Sequence, residues 1–174
     1  YTDLYFRGEY WIAPQKYGNL TRRSIYTVPR YTEYPFLDPH WIIRNDGRCE
    51  IGPNAVPVFG LFSYTLYDNL KNAVPKLFGS CKVGVLKLLL SKQFLYLVAN
   101  EFSSSFSKTN MINRVRRFLP SLNPSDFKQR GMAGVRSLLI DKNGDFASES
   151  LLVEGDSSLH ILNYNSPGAT GALP

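Results

Sequence analysis

His40-Trp41-Ile42-Ile43-Arg44-Asn45-Asp46-Gly47-Arg48-Cys49-Glu50-Ile51-Gly52-Pro53-Asn54 is the stretch on which the fold turns. Two short runs, His40 to Arg44 and Cys49 to Ile51, flank Asn45-Asp46-Gly47-Arg48. Asp-Gly is a strong hairpin signal because both residues tolerate positive φ. Gly52-Pro53-Asn54 ends the second arm. This register sets His40 near the start of one arm and Asn54 just past the end of the other, so both are expected at one edge of a sheet.

Working outward from this hairpin, Tyr5 to Ala13 and Ser24 to Val28 also read as strands, with a turn at Gly18-Asn19 between them. Period-two alternation puts Arg7 and Glu9 on one face and Gly8 and Tyr10 on the other. Gly8 weakens a strand and so marks a close backbone approach. Strand patterning returns at Val135 to Ile140, a turn at 141–145, Phe146 to Val153 and a last strand at Leu159 to Asn163. Between the two strand groups the chain turns helical. Val83 to Val98 is the most apolar stretch and reads as core helix, because charges interrupt it and it is shorter than the ~20 residues of a membrane span. Phe94 to Phe106 is helical by composition. Met111, Ile112, Val115, Phe118 and Leu119 recur at amphipathic spacing, with Asn123 or Ser125 as cap of a short turn that follows. The expected class is α+β: a mixed, largely antiparallel sheet built from both strand groups, with helices packed on one face.

The 174 residues carry 44% hydrophobic, 14% aromatic and 20% charged residues, enough to bury a core and too many large apolar side chains for a disordered or low-complexity chain. The chain opens at Tyr1 inside an aromatic run and stops at Pro174 just past a helix-like start, so both ends are expected to be cut from a longer polypeptide. Cys49 and Cys81 make no CxxC and no metal-ligand spacing with His40 or His160, so no metal is expected. The net charge of +6 is uneven: Lys108, Arg114, Arg116, Arg117, Lys128 and Arg130 face only Asp126 in that stretch. Either this is a solvated helix face or it engages an anionic partner. No RNP-type motif or zinc knuckle supports nucleic acid.

Three segments carry candidate chemistry. Arg7 is either a clamp for a carboxylate, which its planar fork suits, or one half of a surface pair with Glu9. His40 opens an apolar strand and is either structural or a base, its ordinary pKa near ~6.5 suiting it to take a hydroxyl proton; His160 reads as structural. Ser166-Pro167-Gly168-Ala169-Thr170-Gly171-Ala172 reads as a helix start, either an ordinary cap or a set of bare N–H groups facing an anion.

Taken together, Phe6 to Trp11, Ile25 to Pro29, Pro35 to His40, Asn45 to Gly47, Ile51 to Val56, Gly131 to Arg136, and Asn163 with Ser166 to Thr170 resemble the L-2-hydroxyglutarate oxidase/dehydrogenase family, in order and in spacing. These enzymes lie in the FAD-dependent D-amino-acid-oxidase-like superfamily. The resemblance is weakest from Leu61 to Asn123. Departures are Thr27 for a usual proline, Asp38-Pro39 for Gly-Val, Tyr164-Asn165 for Ala-Pro and Gly168 for Ala.

The resemblance implies a substrate-binding domain over 1–163 and the start of a C-terminal flavin-contacting segment over 164–174, both from a two-domain flavoprotein. The N-terminal FAD-binding domain would precede Tyr1, so the isolated fragment would be inactive. The implied activity is FAD-dependent oxidation of an L-2-hydroxy acid to the 2-oxo acid. His40 is the implied base. Arg7, Tyr10, Asn54 and Arg136 would contact substrate, and Asn163, Ser166, Gly168, Ala169 and Thr170 would contact the cofactor. Apart from the resemblance, the two cysteines read as reduced thiols point to a cytoplasmic protein, with room for peripheral membrane contact through the basic stretch. Two alternatives stand beside it: a non-catalytic module that uses the basic 108–130 face for an anionic partner, and a flavoenzyme of the same superfamily acting on glycerol 3-phosphate or an amine.

Overall fold

A computed structural model describes residues 1–28, 34, 38–79 and 82–163. In chain order its strands are β1 (Thr2–Gly8), β2 (Trp11–Ile12), β3 (His40–Ile43), β4 (Cys49–Gly52) and β5 (Val56–Val58). Four helices follow: α1 (Leu66–Gly79), α2 (Lys82–Leu90), α3 (Lys92–Phe106) and α4 (Lys108–Arg116). The chain then returns to β6 (Gln129–Arg130), β7 (Gly134–Ile140), β8 (Leu151–Gly155) and β9 (Ser158–Leu162). The class is α+β, and the ladders among the described residues are antiparallel.

Among the described residues the strands form three sheets where the sequence suggested one: β5-β1-β7, β3-β4-β2-β6 and the hairpin β8-β9. Both strand groups nevertheless meet, since Thr2 pairs with Ile140 and Trp11 with Arg130. The expected strand from Tyr5 to Ala13 divides after Gly8, and its two halves enter different sheets. Gly8 sits at this division as a close approach: a Cβ there would lie 2.7 Å from Pro53 Cβ. The expected Phe146–Val153 strand is not continuous. Phe146 makes a single bridge to Ile140, and β8 turns instead onto β9, closed by Gly155 opposite Ser158.

The hairpin at 40–52 forms as its turn residues require. His40 pairs with Gly52, Trp41 with Ile51, Ile42 with Glu50 and Ile43 with Cys49. The Arg44 N–H donates to the Arg48 carbonyl at 2.8 Å, and Gly47 takes φ +80° at the turn. One face of this sheet is apolar: Trp41 and Ile51 bury against Met111, Ile112 and Val115 of α4. Each such fully buried side chain contributes about 1.5–3 kcal/mol. Ser107 caps α4 by accepting from the Asn110 N–H, and Asn123 caps the following short turn by accepting from the Ser125 N–H.

A second core joins Phe6 and Leu138 of the three-stranded sheet to Leu88 of α2 and Phe94 of α3. The stretch expected as one core helix breaks at Ser91, which leaves the helix in an extended conformation and caps α3 by accepting from the Phe94 N–H. The two helices meet at a bend of 78°. Most of α2 faces outward, with Leu86, Leu89 and Leu90 exposed, so it is not the core helix its hydropathy suggested. No single helix among the described residues is long and apolar enough to cross a membrane. Cys49 is a free, buried thiol, its pKa pushed up by burial, while Cys81 lies outside the described residues.

Candidate functional site

The face of the β3-β4-β2-β6 sheet that points away from α4 carries the candidate site. Because Trp41 and Ile51 point into the core, alternation turns His40, Gly52 and Glu50 to the opposite face. Tyr10 belongs to the same row: its carbonyl accepts from the Gly131 N–H at 2.8 Å, extending the ladder beyond Trp11. Across the row therefore stand His40, Gly52, Tyr10 and Gly131, large side chains alternating with none. The vacancy is required at Gly52, whose φ is +147° and whose Cβ would lie 2.6 Å from both Glu9 O and Tyr10 Cδ1.

His40 is only 4% exposed, and its Nδ1 is buried with no hydrogen-bond partner. Tyr26 packs on its ring at 4.6 Å between centroids. Burial lowers the His40 pKa below 6.5; the Asp38 backbone and then the Asp38 charge act in the opposite direction, and the positive charge of Arg136 adds a smaller lowering. The imidazole is thus neutral at pH 7, the form that accepts a proton. Arg136 is exposed as a residue, while partial desolvation of its charged end lowers its pKa, opposed by the nearby Tyr10 phenol. Tyr10 is partly buried, with the Arg44 guanidinium 5.0 Å from its ring, and desolvation raises its pKa above 10. Arg44 in turn donates from Nε to the buried Glu50 carboxylate at 2.7 Å.

The structure therefore brings His40, Tyr10 and Arg136 into one electrostatic neighbourhood, together with Tyr26, which the sequence did not single out. Arg7 is placed elsewhere. In the β1–β7 register Arg136 lies opposite Phe6, and Arg7 lies opposite Val135, so the two arginines leave opposite faces of their sheet. Arg7 already has a carboxylate: its Nη2 is 2.9 Å from Glu9, with the two side chains only 15% and 12% exposed. Its Nη1 donates to the Tyr64 carbonyl at 3.0 Å. This is the Arg7–Glu9 pair that was one of the two readings of Arg7, and it is largely buried rather than on the surface.

Asn54 is 2% exposed and serves Glu9 twice. Its Oδ1 accepts from the Glu9 N–H at 2.7 Å, and its Nδ2 donates to the Glu9 carboxylate at 3.0 Å. Its place is thus at the open end of the hairpin, as expected, with its amide turned to the protein. Asn163 has φ +57° and donates to the Ala147 and Glu149 carbonyls at 2.8 and 3.0 Å, so it pins the loop before β8. Ser166, Gly168, Ala169 and Thr170 lie outside the described residues, as does the expected flavin-contacting segment 164–174. His160 is exposed on β9, with Nε2 2.9 Å from Ser158 Oγ. No group of three or more His, Cys, Asp or Glu side chains suited to a metal occurs among the described residues.

The basic run folds partly inward. Lys108 donates to the Phe127 carbonyl at 2.7 Å and Arg130 to the Ser105 carbonyl at 3.0 Å, while Arg114 pairs with Asp38 and Glu101.

Known proteins of similar sequence bear on the readings of this arrangement. The mouse mitochondrial L-2-hydroxyglutarate dehydrogenase is 32% identical over 173 residues, covering 97% of this chain and 36% of that protein. The chain aligns with L-2-hydroxyglutarate dehydrogenases. The Salmonella houtenae enzyme is 31% identical over 169 residues, covering 97% of this chain and 39% of the enzyme, and the mitochondrial one of Nematostella vectensis is 32% identical over 174 residues. The chain thus spans rather more than a third of the length of the L-2-hydroxyglutarate dehydrogenases it matches. No protein-family model matches the chain. Similarity over nearly the whole chain, including the helical stretch from Leu61 to Asn123 where the motifs were weakest, extends the resemblance beyond the strand motifs.

Proposed function

We propose that this chain is the substrate-binding part of an FAD-dependent oxidoreductase that converts an L-2-hydroxy acid, 2-hydroxyglutarate or a close analogue, to the 2-oxo acid. The observation that carries the reading is His40: a buried imidazole, neutral by desolvation, with an unpartnered Nδ1 and a cationic Arg136 nearby. An orphaned buried nitrogen is costly unless a ligand group pairs with it, and a substrate hydroxyl fits that need. The Arg136 guanidinium suits a carboxylate, as its fork geometry can take two oxygens. These features favour an anionic hydroxy acid over an amine, and the alignment favours a 2-hydroxy acid over glycerol 3-phosphate.

In this reading His40 takes the hydroxyl proton, Arg136 and Tyr10 orient the acid, and Gly52 leaves the space between them. Arg7 and Asn54 shape the wall through Glu9. The unpaired His40 nitrogen fits the deprotonating side of a hydride-transfer oxidation; the segment from Ser166 to Thr170 would hold the flavin, with Asn163 fixing the chain that leads to it. When bound, FAD would supply the acceptor for the hydride from the substrate carbon. The division at 163 into a substrate-binding part and a flavin-contacting segment belongs to the same proposal. So does a cytoplasmic protein in peripheral contact with a membrane, on the strength of the exposed Leu86, Leu89, Leu90, Leu95 and Phe106 of α2 and α3.

The test is turnover of L-2-hydroxyglutarate by the full-length flavin-loaded protein. His40→Ala is expected to lower kcat by roughly 10²–10⁴-fold with the flavin still bound. Near-normal turnover would remove His40 from the role of base, and failure of the parent protein to oxidise any 2-hydroxy acid would end the reading.

A further inference from the structure

Arg114 lies 74 residues beyond His40 on α4, yet its contacts converge on the segments that carry the site. Its Nε donates to Asp38 Oδ1 at 3.2 Å, and Nη2 bonds to the same oxygen. Its Nη1 lies 2.8 Å from Glu101 Oε1 and donates to Ser104 Oγ at 3.0 Å. The other oxygen of Glu101, Oε2, accepts the Ala55 N–H at 2.7 Å. Asp38 is two residues before His40 and Ala55 is one residue after Asn54. One guanidinium therefore ties together the chain entering β3 and the chain leaving β4, the two segments that flank the open end of the hairpin.

We propose that Arg114 is a positioning residue for the site: by clasping Asp38 and Glu101 it fixes the entry to His40 and the exit at Asn54, and it sets the charge that His40 experiences. Glu101 is almost fully buried, and Arg114 and Asp38 are largely so, which makes the clasp far stiffer than a surface ion pair. Among the described residues, the charged and titratable groups facing His40 are Asp38 on its own approach, Arg136 from β7, Tyr26 tilted against its ring and Tyr10 across Gly52. Of these, Asp38 favours the imidazolium and Arg136 opposes it. Arg114 balances Asp38, so it sides with Arg136 in keeping His40 neutral.

The catalytic consequence rests on the reading of His40 as proton acceptor; the electrostatic one does not, and the experiment separates them. In the full-length protein with histidine labelled at Cε1, the His40 pKa is read by NMR, its signal assigned by loss in His40→Gln. Arg114→Gln is expected to raise that pKa by about half a unit or more, because it removes a cation from beside Asp38 and from the approach to His40; Asp38→Asn is expected to lower it by a similar amount. The acidic limb of kcat/KM should move in the same two directions, whereas a merely structural lesion would lower activity equally at all pH. Arg114→Lys keeps the charge without the fork, so the pKa should stay near that of the parent while kcat falls.

If Arg114→Gln does not fold, because Glu101 is left buried and unpaired, the double variant with Glu101→Gln removes both charges. Asp38→Asn then carries the sign test alone. An unchanged His40 pKa in Asp38→Asn, or a shift in the same direction in both variants, overturns the proposal. Opposite pKa shifts in a protein that oxidises no hydroxy acid would uphold the role of Arg114 and refute the proposed reaction.

Discussion

Asn54 offers the sharpest quantitative test, because its whole side chain is committed to one neighbour. Asn54→Ala takes the acceptor from a buried Glu9 N–H, held at 2.7 Å, and the donor from the Glu9 carboxylate, held at 3.0 Å. An unsatisfied buried N–H costs about 1–3 kcal/mol, and a lost hydrogen bond to a charged group about 1.5–3 kcal/mol. Arg7, 2.9 Å from the other Glu9 oxygen, continues to balance the charge, which limits the second contribution. The expected loss is therefore about 3–5 kcal/mol, a large share of the ~5–15 kcal/mol that holds a domain folded.

Asn54→Asp separates the two contributions. It keeps the acceptor for the N–H but sets a second carboxylate against Glu9 where an amide donated. Two such groups hold a shared proton more tightly when folded than when apart in the unfolded chain. A folded-state pKa raised in this way means stability is gained as pH falls through it, so the deficit of the variant should shrink between pH 8 and pH 5. Urea denaturation of the chain at both pH values is the assay. A loss below about 1 kcal/mol for Asn54→Ala, or a pH-independent deficit for Asn54→Asp, would show that the Asn54–Glu9 hydrogen bonds do not hold this end of the hairpin.

Two further outcomes follow from the same face of the sheet. His40 has a folded-state pKa below its unfolded 6.5, so the native state binds fewer protons between those two values, and acidification through pH 6.5 should erode stability. His40→Gln should abolish that part of the pH dependence, which thermal melts from pH 7.5 to 5 would register; an unaltered slope would show that His40 is not the titrating group. Gly52→Ala forces a Cβ within 2.6 Å of two groups at a φ of +147°, and should cost about 3 kcal/mol by denaturation while shifting the Tyr10 ring. A neutral effect would mean that the backbone relaxes freely there.

Legibility in the sequence tracked the range of the interactions. Asp46-Gly47 is a turn by its own chemistry, so the 40–52 hairpin and its register could be read directly. The spacing of Met111, Ile112 and Val115 defined the buried side of α4, and Gly8 announced a close approach without naming Pro53. Where two local signals competed, the reading failed. The hydropathy from Val83 to Val98 suggested one buried helix, but Ser91 caps a new helix there and turns much of α2 outward. After Phe146 the strand pattern persisted, yet the tighter turn at Asp156-Ser157 captured β8 for β9.

The site divides in the same way. His40 and Asn54 at the open end of the hairpin were readable from the chain alone, because turn chemistry and alternation act within a few residues. Only the tertiary structure decided their partners: Tyr26 on the His40 ring, Glu9 on Asn54, and Arg114 on Asp38 across 76 positions. It also gave Arg7 and Arg136 opposite faces through the pairing of β1 with β7. Periodicity reports which way a side chain points from its own strand or helix. It carries no information about which distant charge will be there, since that is fixed only when separate elements pack and each buried ion finds its counterion.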